Sequence, residues 1–205
     1  DEIKEIGKTL MEVMIRLDKN DEKVKERIES QEYLSLIKKC FRDWSAAESE
    51  EKRKLIANLL TVAAGAHITT DDIVRLFVSW IDNYSEGHFA IVRAVYNRDG
   101  ITRGQIWQTV KAPGGRPRED SLEADLFKLL VQDLNMGHLV RQHRPKDYNG
   151  NFIKQPPRKR GSVGSGYTSA FDDDKQYELT ELGKQFVHYT MSEYVPKISA
   201  TTSSS

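Results

Sequence analysis

Apolar residues in the first part of the chain recur at intervals that fit a helix. Between residues 1 and 17 they are spaced by three or four positions, with charged residues in the intervals: Ile3, Ile6, Leu10, Val13 and Leu17. This spacing aligns them in one stripe, about two heptads long, whereas a coiled coil needs roughly three or four. Two interpretations stay open: the helix packs on its own domain, or Ile3, Leu10 and Leu17 form a dimer interface.

Further apolar stripes predict that the rest of the first 83 residues is helical too. One helical pattern covers residues 31–47 and another covers residues 50–65, where Gly65 is typical of a helix end. Thr69, followed three residues later by Asp72, is typical of a helix start. We therefore expect an N-terminal region, residues 1–83, that consists of helices.

A new order of elements begins at Ser85, which we expect to cap a helix that ends at Asp99-Gly100. Thr102 and Gln105 then have the spacing of a capping box, in which each side chain bonds the other's backbone N–H. The sequence predicts a short helix after this box.

A longer helix follows, with Asp120 and Glu123 repeating the capping-box spacing and Met136-Gly137 at its end. Its apolar residues are expected to face the core: Leu122, Leu126, Leu129, Leu130 and Leu134. The position after a short helix is that of the recognition helix in a helix-turn-helix protein.

Two strand-like segments, residues 138–142 and 176–179, enclose a loop of about 144–175 and precede a last helix that begins at Thr180. This order, ending in the segment Tyr177-Glu178-Leu179-Thr180-Glu181-Leu182-Gly183, resembles winged helix-turn-helix proteins of the MarR and PadR type. The resemblance implies transcription regulation through DNA binding. The chain as a whole, with helices leading into such a domain, also resembles bacterial Abi-alpha-type proteins, which implies a part in phage defence.

The expected fold is therefore mainly α. We expect an N-terminal helical region, 1–83, packed on a winged helix-turn-helix domain, 84–194, with a two-stranded wing, and then a flexible tail, 195–205.

Charge and composition narrow the choice of partners. The chain has 31 basic and 31 acidic residues, so only a local patch could attract nucleic acid. No apolar run approaches the roughly 20 residues of a membrane span, and the charged N-terminus is unlike a signal peptide. The lone Cys40 lies in an apolar helix pattern and indicates a core residue in a reducing compartment. We expect a cytoplasmic protein that does not enter membranes.

The helix in the recognition position carries the wrong charge for DNA phosphates. Its polar residues include five acids, at 119, 120, 123, 125 and 133, and one base, Lys128. Gln132 could read adenine, but phosphates repel this face. Docking of this helix in a major groove is therefore disfavoured.

The wing has the opposite charge. Between residues 141 and 160 its cations outnumber the single acid, Asp147: Arg141, Arg144, Lys146, Lys154, Arg158, Lys159 and Arg160. Arg116 and Arg118, in Gly115-Arg116-Pro117-Arg118, partly resemble an AT-hook core. One hypothesis is that these residues contact the backbone or minor groove of duplex DNA. The alternative is that the basic residues are simply a solvated run of charge, which Asp172-Asp173-Asp174 could fold back to neutralise. As a metal site these three aspartates are poor, because adjacent acids on an extended segment point in alternating directions.

The sequence shows no metal-binding, phosphate-binding or nucleophile motif, so we expect no enzymatic activity, no cofactor and no metal. The leading interpretation is a non-enzymatic nucleic-acid-binding or regulatory protein, expected to be a homo-oligomer, that contacts DNA through its wing. The alternative is a protein-interaction module, an assembly or phage-defence component whose winged helix does not bind DNA.

Overall fold

A computed structural model describes residues 2–18, 20–42, 49–65, 69–111, 115–143, 147–149, 153 and 169–191. The expected mainly helical fold is confirmed, with a small three-stranded antiparallel sheet. Six predicted DNA-binding residues lie outside the described residues, as does the predicted tail: Arg144, Lys146, Lys154, Arg158, Lys159 and Arg160. Within the described ranges, no helix has both the length and the apolar character needed to cross a membrane.

The chain divides into two compact units, one made of Asp1–Glu86 with Gln185–Ser205 and the other of Gly87–Lys184. The first boundary lies near the expected one at residue 83. The second differs from the expected end at residue 194, because the last helix from Gln185 onward belongs to the first unit.

The first unit is built around one central helix. Its helices are α1 (Glu2–Arg16), α2 (Glu22–Glu29), α3 (Gln31–Arg42), α4 (Glu50–Gly65) and α5 (Asp71–Asn83). The other four pack against α4, whose Ile56, Leu59 and Leu60 are almost completely buried. This burial explains why α4 is apolar on most of its surface, and Gly65 ends it as predicted.

The predicted apolar stripe on α1 faces its own unit along most of its length. Val13 and Leu17 are buried and Leu10 is half-buried, whereas Ile3 is 85% exposed. Leu17 therefore contributes to the packing of the first unit, and only the N-terminal end of the stripe is open to solvent.

Two local predictions in this unit were incomplete. The sequence did not show α2, which begins after Asp21, whose carboxylate accepts a hydrogen bond from the Lys23 N–H (2.9 Å). α2 buries only Val24, so it has no apolar stripe to detect. The predicted start of α5 at Thr69 was wrong: the capping residue is Thr70, whose side chain makes no capping hydrogen bond.

The C-terminal part of the last helix completes the core of the first unit. Phe186 and Tyr189 pack edge-on against Phe77, with ring centroids 5.6 and 5.7 Å away. The buried Asn58 donates to the Thr190 carbonyl (2.7 Å) and accepts from Arg16 (2.6 Å). These contacts explain the unit boundary at Gln185.

Cys40 is buried in the first unit, as expected of a core residue. Burial raises the pKa of its thiol to about 12, so the reactive thiolate is scarce at neutral pH.

The second unit combines helices with the sheet. Its elements are α6 (Glu86–Asn97), β1 (Ile101–Thr102), α7 (Arg103–Val110), α8 (Leu122–Met136), β2 (Val140–Gln142), β3 (Gln176–Leu179) and the start of α9 (Glu181–Thr190). β3 lies in the middle of the sheet, antiparallel to both neighbours, with Ile101 opposite Tyr177 and Val140 opposite Leu179. β1 has only two residues, too few for an alternating pattern, so the sequence did not reveal it.

The capping box before α7 is confirmed. The Thr102 hydroxyl accepts from the Gln105 N–H (3.3 Å), and the Gln105 side chain accepts from the Thr102 N–H (3.2 Å). The predicted box at Asp120 and Glu123 was wrong by one residue, since Ser121 caps α8 and accepts from the Ala124 N–H (3.1 Å).

The helix α8 ends at Met136-Gly137 as predicted, and a left-handed turn centred on His138 follows it. His138 has φ of 60°, its N–H donates to Asn135 and the Leu139 N–H donates to Leu134. These are the two hydrogen bonds of a Schellman motif. Leu134 and Leu139 are both fully buried, which supplies the apolar contact that accompanies this motif.

The segment Leu179-Thr180-Glu181-Leu182-Gly183 joins the sheet to that turn. The Thr180 hydroxyl donates to the His138 carbonyl (2.6 Å) and accepts from the Gly183 N–H (2.9 Å). A Cβ at Gly183 would lie 2.3 Å from the Leu139 carbonyl oxygen, so only glycine fits here. The motif therefore has a local structural function.

Candidate interaction surface

The two arginines of the AT-hook-like segment are bound to carboxylates of their own unit. Arg116 donates to Asp173 (2.6 Å), which also accepts from the Thr102 hydroxyl (2.8 Å). The hydrogen bonds from Arg116 and Thr102 hold the pKa of the Asp173 carboxyl below its usual value. Arg118 pairs with Asp120 through two hydrogen bonds, the shorter at 2.7 Å.

Arg141, at the base of the predicted wing, is neutralised in the same way. Its Nε donates to Glu178 (2.6 Å), and His143 Nδ1 lies 2.5 Å from the other oxygen of that carboxylate. Burial alone would raise the pKa of Glu178, but the hydrogen bonds from His143 and Arg141 outweigh it and lower that pKa. Glu178 therefore offsets the charge of Arg141, whose side chain is 37% exposed.

Gln132 is exposed on α8, with its amide nitrogen 3.8 Å from the Met136 sulfur. All three predicted cations that the structure describes, Arg116, Arg118 and Arg141, are thus paired with acids, and Gln132 stands apart from them on a helix.

The segment before β3 folds back, as the sequence allowed for Asp172-Asp173-Asp174, but it packs on α7 and α8 and pairs Asp173 with Arg116, which the sequence did not predict. Phe171 is 4% exposed; its ring stacks on Phe127 (centroids 5.9 Å apart) and meets Trp107 edge-on (5.1 Å). Glu119 accepts hydrogen bonds from the Ser169 hydroxyl and from the Ala170 N–H (2.9 Å). One signal was present: an alanine and a phenylalanine directly before three acids at the end of the loop.

The apolar residues of α8 do not all face the core as predicted. The helix buries Ala124, Phe127, Val131 and Leu134, while four large apolar side chains point to solvent: Leu122 (84% exposed), Leu126 (51%), Leu129 (53%) and Met136 (68%). The prediction that Leu122, Leu126 and Leu129 face the core was wrong because Phe127 and Val131, on the opposite side, fill that space. We call these four exposed residues the α8 stripe.

Sequence spacing puts the α8 stripe on one side of the helix. Its members lie four, seven and fourteen residues after Leu122, so at 100° per residue they fall within about 80° of one another. Asp133, on the same side, is 3.5 Å from the imidazole of the buried His88. The four side chains therefore share one side of the helix, with Asp133 between Leu129 and Met136 on that side.

An apolar groove lies beside this stripe, between α6, α7 and α8. Its volume is about 140 Å³. Its apolar lining includes Ile91, Trp107, Leu126, Phe127 and Leu130, and Lys111 and Glu123 also border it. The Trp107 indole N–H is buried and has no acceptor among the described residues. Leu126 belongs to both stripe and groove and joins them into one surface.

Acidic groups surround this surface. Glu119, Asp120, Glu123 and Asp125 are exposed around the first turns of α8. The nearby described cations are Lys111, Lys128 and Arg118, and Arg118 is paired with Asp120. Lys128 lies 3.7 Å from Glu119 and 3.8 Å from Asp125, so it is shared between acids. The hydrogen bonds from Ser169 and Ala170 lower the pKa of Glu119, which keeps this carboxylate charged.

Comparison with family models, curated proteins and solved structures gives no match to this chain.

Proposed function

We propose that the second unit is a winged helix-turn-helix domain that works as a protein-interaction module, with the α8 stripe and its groove binding a basic amphipathic helix of a partner protein. The observation that carries this proposal is the exposure of four large apolar residues along one side of α8. Contiguous exposed apolar surface of this kind is typical of interaction sites.

The order of elements supports the winged helix-turn-helix assignment. A capped short helix, α7, precedes a longer helix, α8, and the antiparallel strands β2 and β3 follow it. In this arrangement α8 occupies the recognition position, where DNA-binding relatives of the fold present polar and basic residues. Here the position presents leucines and acids, which fits a protein partner better than a phosphate backbone.

The shape of the surface favours a helix as its occupant. Amphipathic helices bind by placing apolar residues at intervals of three, four and seven into a groove. The α8 stripe has these intervals, and a groove of about 140 Å³ can hold one leucine-sized anchor. Trp107 forms part of its wall, and tryptophan is frequent at the energetic centres of interfaces.

The charge of the surface selects the sign of the partner. Glu123 and Asp125 flank the apolar residues and are exposed. Cations on the partner are therefore attracted to this surface, and acids on the partner are repelled. If a second copy of the chain bound to the same face, the carboxylates of the two copies would lie close together, and such like-charge contacts disfavour a complex. A partner helix with lysines or arginines beside its apolar residues fits best.

A calorimetric titration with two designed helices tests this proposal. One helix carries leucine with lysine, the other leucine with glutamate at the same positions, and a scrambled leucine-lysine peptide reports nonspecific attraction. We expect only the unscrambled leucine-lysine helix to bind. Leu126→Asp should raise the Kd of that binding at least about tenfold. Ile153→Asp is the matched control, because Ile153 and Leu126 are both 51% exposed. Equal binding of the scrambled peptide would contradict the proposal.

A second candidate function is nucleic-acid binding through the wing. It is favoured by the pairing of β2 with β3, because these strands lie on either side of the basic part of the chain. Seven basic residues and one acidic residue occur between residues 141 and 160. Duplex DNA titrated over a salt series tests it. If Arg158, Lys159 and Arg160 each neutralise one phosphate, their replacement by alanine should make the slope of log K against log salt shallower by about 2.7. Absence of binding at low salt removes this candidate.

A further inference from the structure

The outward face of α1 is apolar, although the helix already buries a different face. Ile3, Met11 and Ile15 are 85%, 70% and 81% exposed, and Met14 is 40% exposed. Thr9, Val13 and Leu17 are buried on the other side. α1 therefore has two apolar faces, and the packing of its own unit uses only one.

The exposed residues of α1 follow a regular row. Ile3, Gly7, Met11 and Ile15 are each four positions apart, which is the spacing of a ridge along a helix surface. A Cβ at Gly7 would have no atom within 4 Å, so the row has a shallow gap at its second position. We call these four residues the α1 row.

We propose that the α1 row binds the α1 row of a second copy of this chain, with the two helices antiparallel. When Ile3 of one copy lies opposite Ile15 of the other, Gly7 faces Met11. Each long Met11 side chain then fills the gap above a Gly7, and the same contacts occur twice by two-fold symmetry. Methionine suits such a gap because its side chain is unbranched and flexible.

The charges beside the row favour this orientation. Lys4 and Lys8 precede Glu12 on the same flank, and the Lys8 and Glu12 side chains are 72% and 46% exposed. Antiparallel packing about a two-fold axis places this flank of one copy beside the same flank of the other, which brings Lys4 and Lys8 near the partner's Glu12. Parallel packing would place the flank beside the opposite one, which carries Leu10 and Met14 instead of Glu12. Within α1, Lys8 also pairs with Glu5, and Glu12 pairs with Arg16. The helix dipoles also attract each other when the helices are antiparallel.

The mixed charge of this flank separates the α1 row from the acidic α8 surface. The flank carries two lysines and one glutamate, so a strongly basic or strongly acidic partner would meet repulsion as well as attraction, whereas a second copy in antiparallel register brings residues of opposite sign together. A single two-helix contact is smaller than the roughly 1,600 Å² of a standard interface, so the test needs a concentration series that detects a weak dimer.

Sedimentation equilibrium of the full chain tests the contact. We expect a monomer–dimer equilibrium, and at least a tenfold higher Kd for Ile15→Asp. Tyr148→Asp is the control, since Tyr148 belongs to neither proposed surface and is 98% exposed, against 81% for Ile15. Circular dichroism of each variant checks that the helices remain. A monomer at all concentrations, or an equal effect of the control, would overturn the proposal.

A charge exchange tests the orientation. Lys8→Glu alone should weaken the dimer several-fold, because two carboxylates then meet across the contact. Adding Glu12→Lys restores the opposite-charge pairs and should return Kd to near its original value. Failure of the double variant to recover would overturn the antiparallel arrangement.

Discussion

Replacing Gly183 by alanine should destabilise the second unit strongly. The new Cβ would lie 2.3 Å from the Leu139 carbonyl oxygen and 3.1 Å from its carbonyl carbon. Because these are backbone atoms next to β2, no rotation of a side chain can relieve the contact. That carbonyl also accepts a hydrogen bond from the Thr180 N–H (3.0 Å), so movement away from alanine would weaken the connection between β3 and α9.

The magnitude follows from two effects. Overpacking of a closely packed site costs about 1–3 kcal/mol, and a weakened hydrogen bond adds about 0.5–1.5 kcal/mol. The higher helix propensity of alanine offsets up to about 1 kcal/mol of this destabilisation. We expect a net loss of about 2–3 kcal/mol in the free energy of unfolding.

Urea denaturation followed by circular dichroism measures this loss, and amide hydrogen exchange at Thr180 locates it. Gly7→Ala is the control, because a Cβ there meets no atom within 4 Å. Measured at dilute concentration, Gly7→Ala should stabilise the chain by about 0.5–1 kcal/mol. If Gly183→Ala were as stable as the original chain, the argument from the Leu139 contact would be refuted.

Three further predictions concern the same unit. His138→Gly should stabilise it by about 1 kcal/mol, because His138 has φ of 60° and glycine adopts this conformation without steric cost; thermal unfolding measures the gain, and a lower Tm would contradict it. Phe171→Ala should cost about 3–5 kcal/mol by leaving a cavity between Trp107 and Phe127; urea denaturation measures the cost, and a loss below 1 kcal/mol would mean that the folded-back segment contributes little. Glu178 has a lowered pKa, so its contribution to stability is complete above its ordinary pKa and is lost as pH falls through the pKa of the folded state. The difference in unfolding free energy between the original chain and Glu178→Gln should therefore be larger at pH 7 than at pH 3. A difference independent of pH would exclude this electrostatic origin.

Features that depend on neighbouring residues were predictable from the sequence. The capping box at Thr102 needs only residues within one helical turn, and Gly65 ends α4 for reasons confined to that helix end. The helical character of α1, α3, α4 and α5 also follows from spacing, because the burial of a stripe requires a helix whatever lies opposite.

Other features required the tertiary structure. β1 exists because β3 lies beside it, and two residues alone carry no signal of pairing. The carboxylate partners of Arg116 and Arg141 are 57 and 37 positions away in the chain, so the sequence could suggest that acids neutralise the basic residues but could not show which carboxylate pairs with which arginine.

The sequence by itself determined which parts of the chain are apolar, and the tertiary structure decided which of those parts are buried. On α8, leucines and larger apolar residues occur on both sides of the helix, and spacing cannot distinguish the two. The core accepts Phe127 and Val131, which leaves Leu126 and Leu129 in solvent. On α1 the same selection buries Val13 and leaves Ile15 exposed. A helix has one inner face, and the space that its neighbours leave decides which residues occupy it.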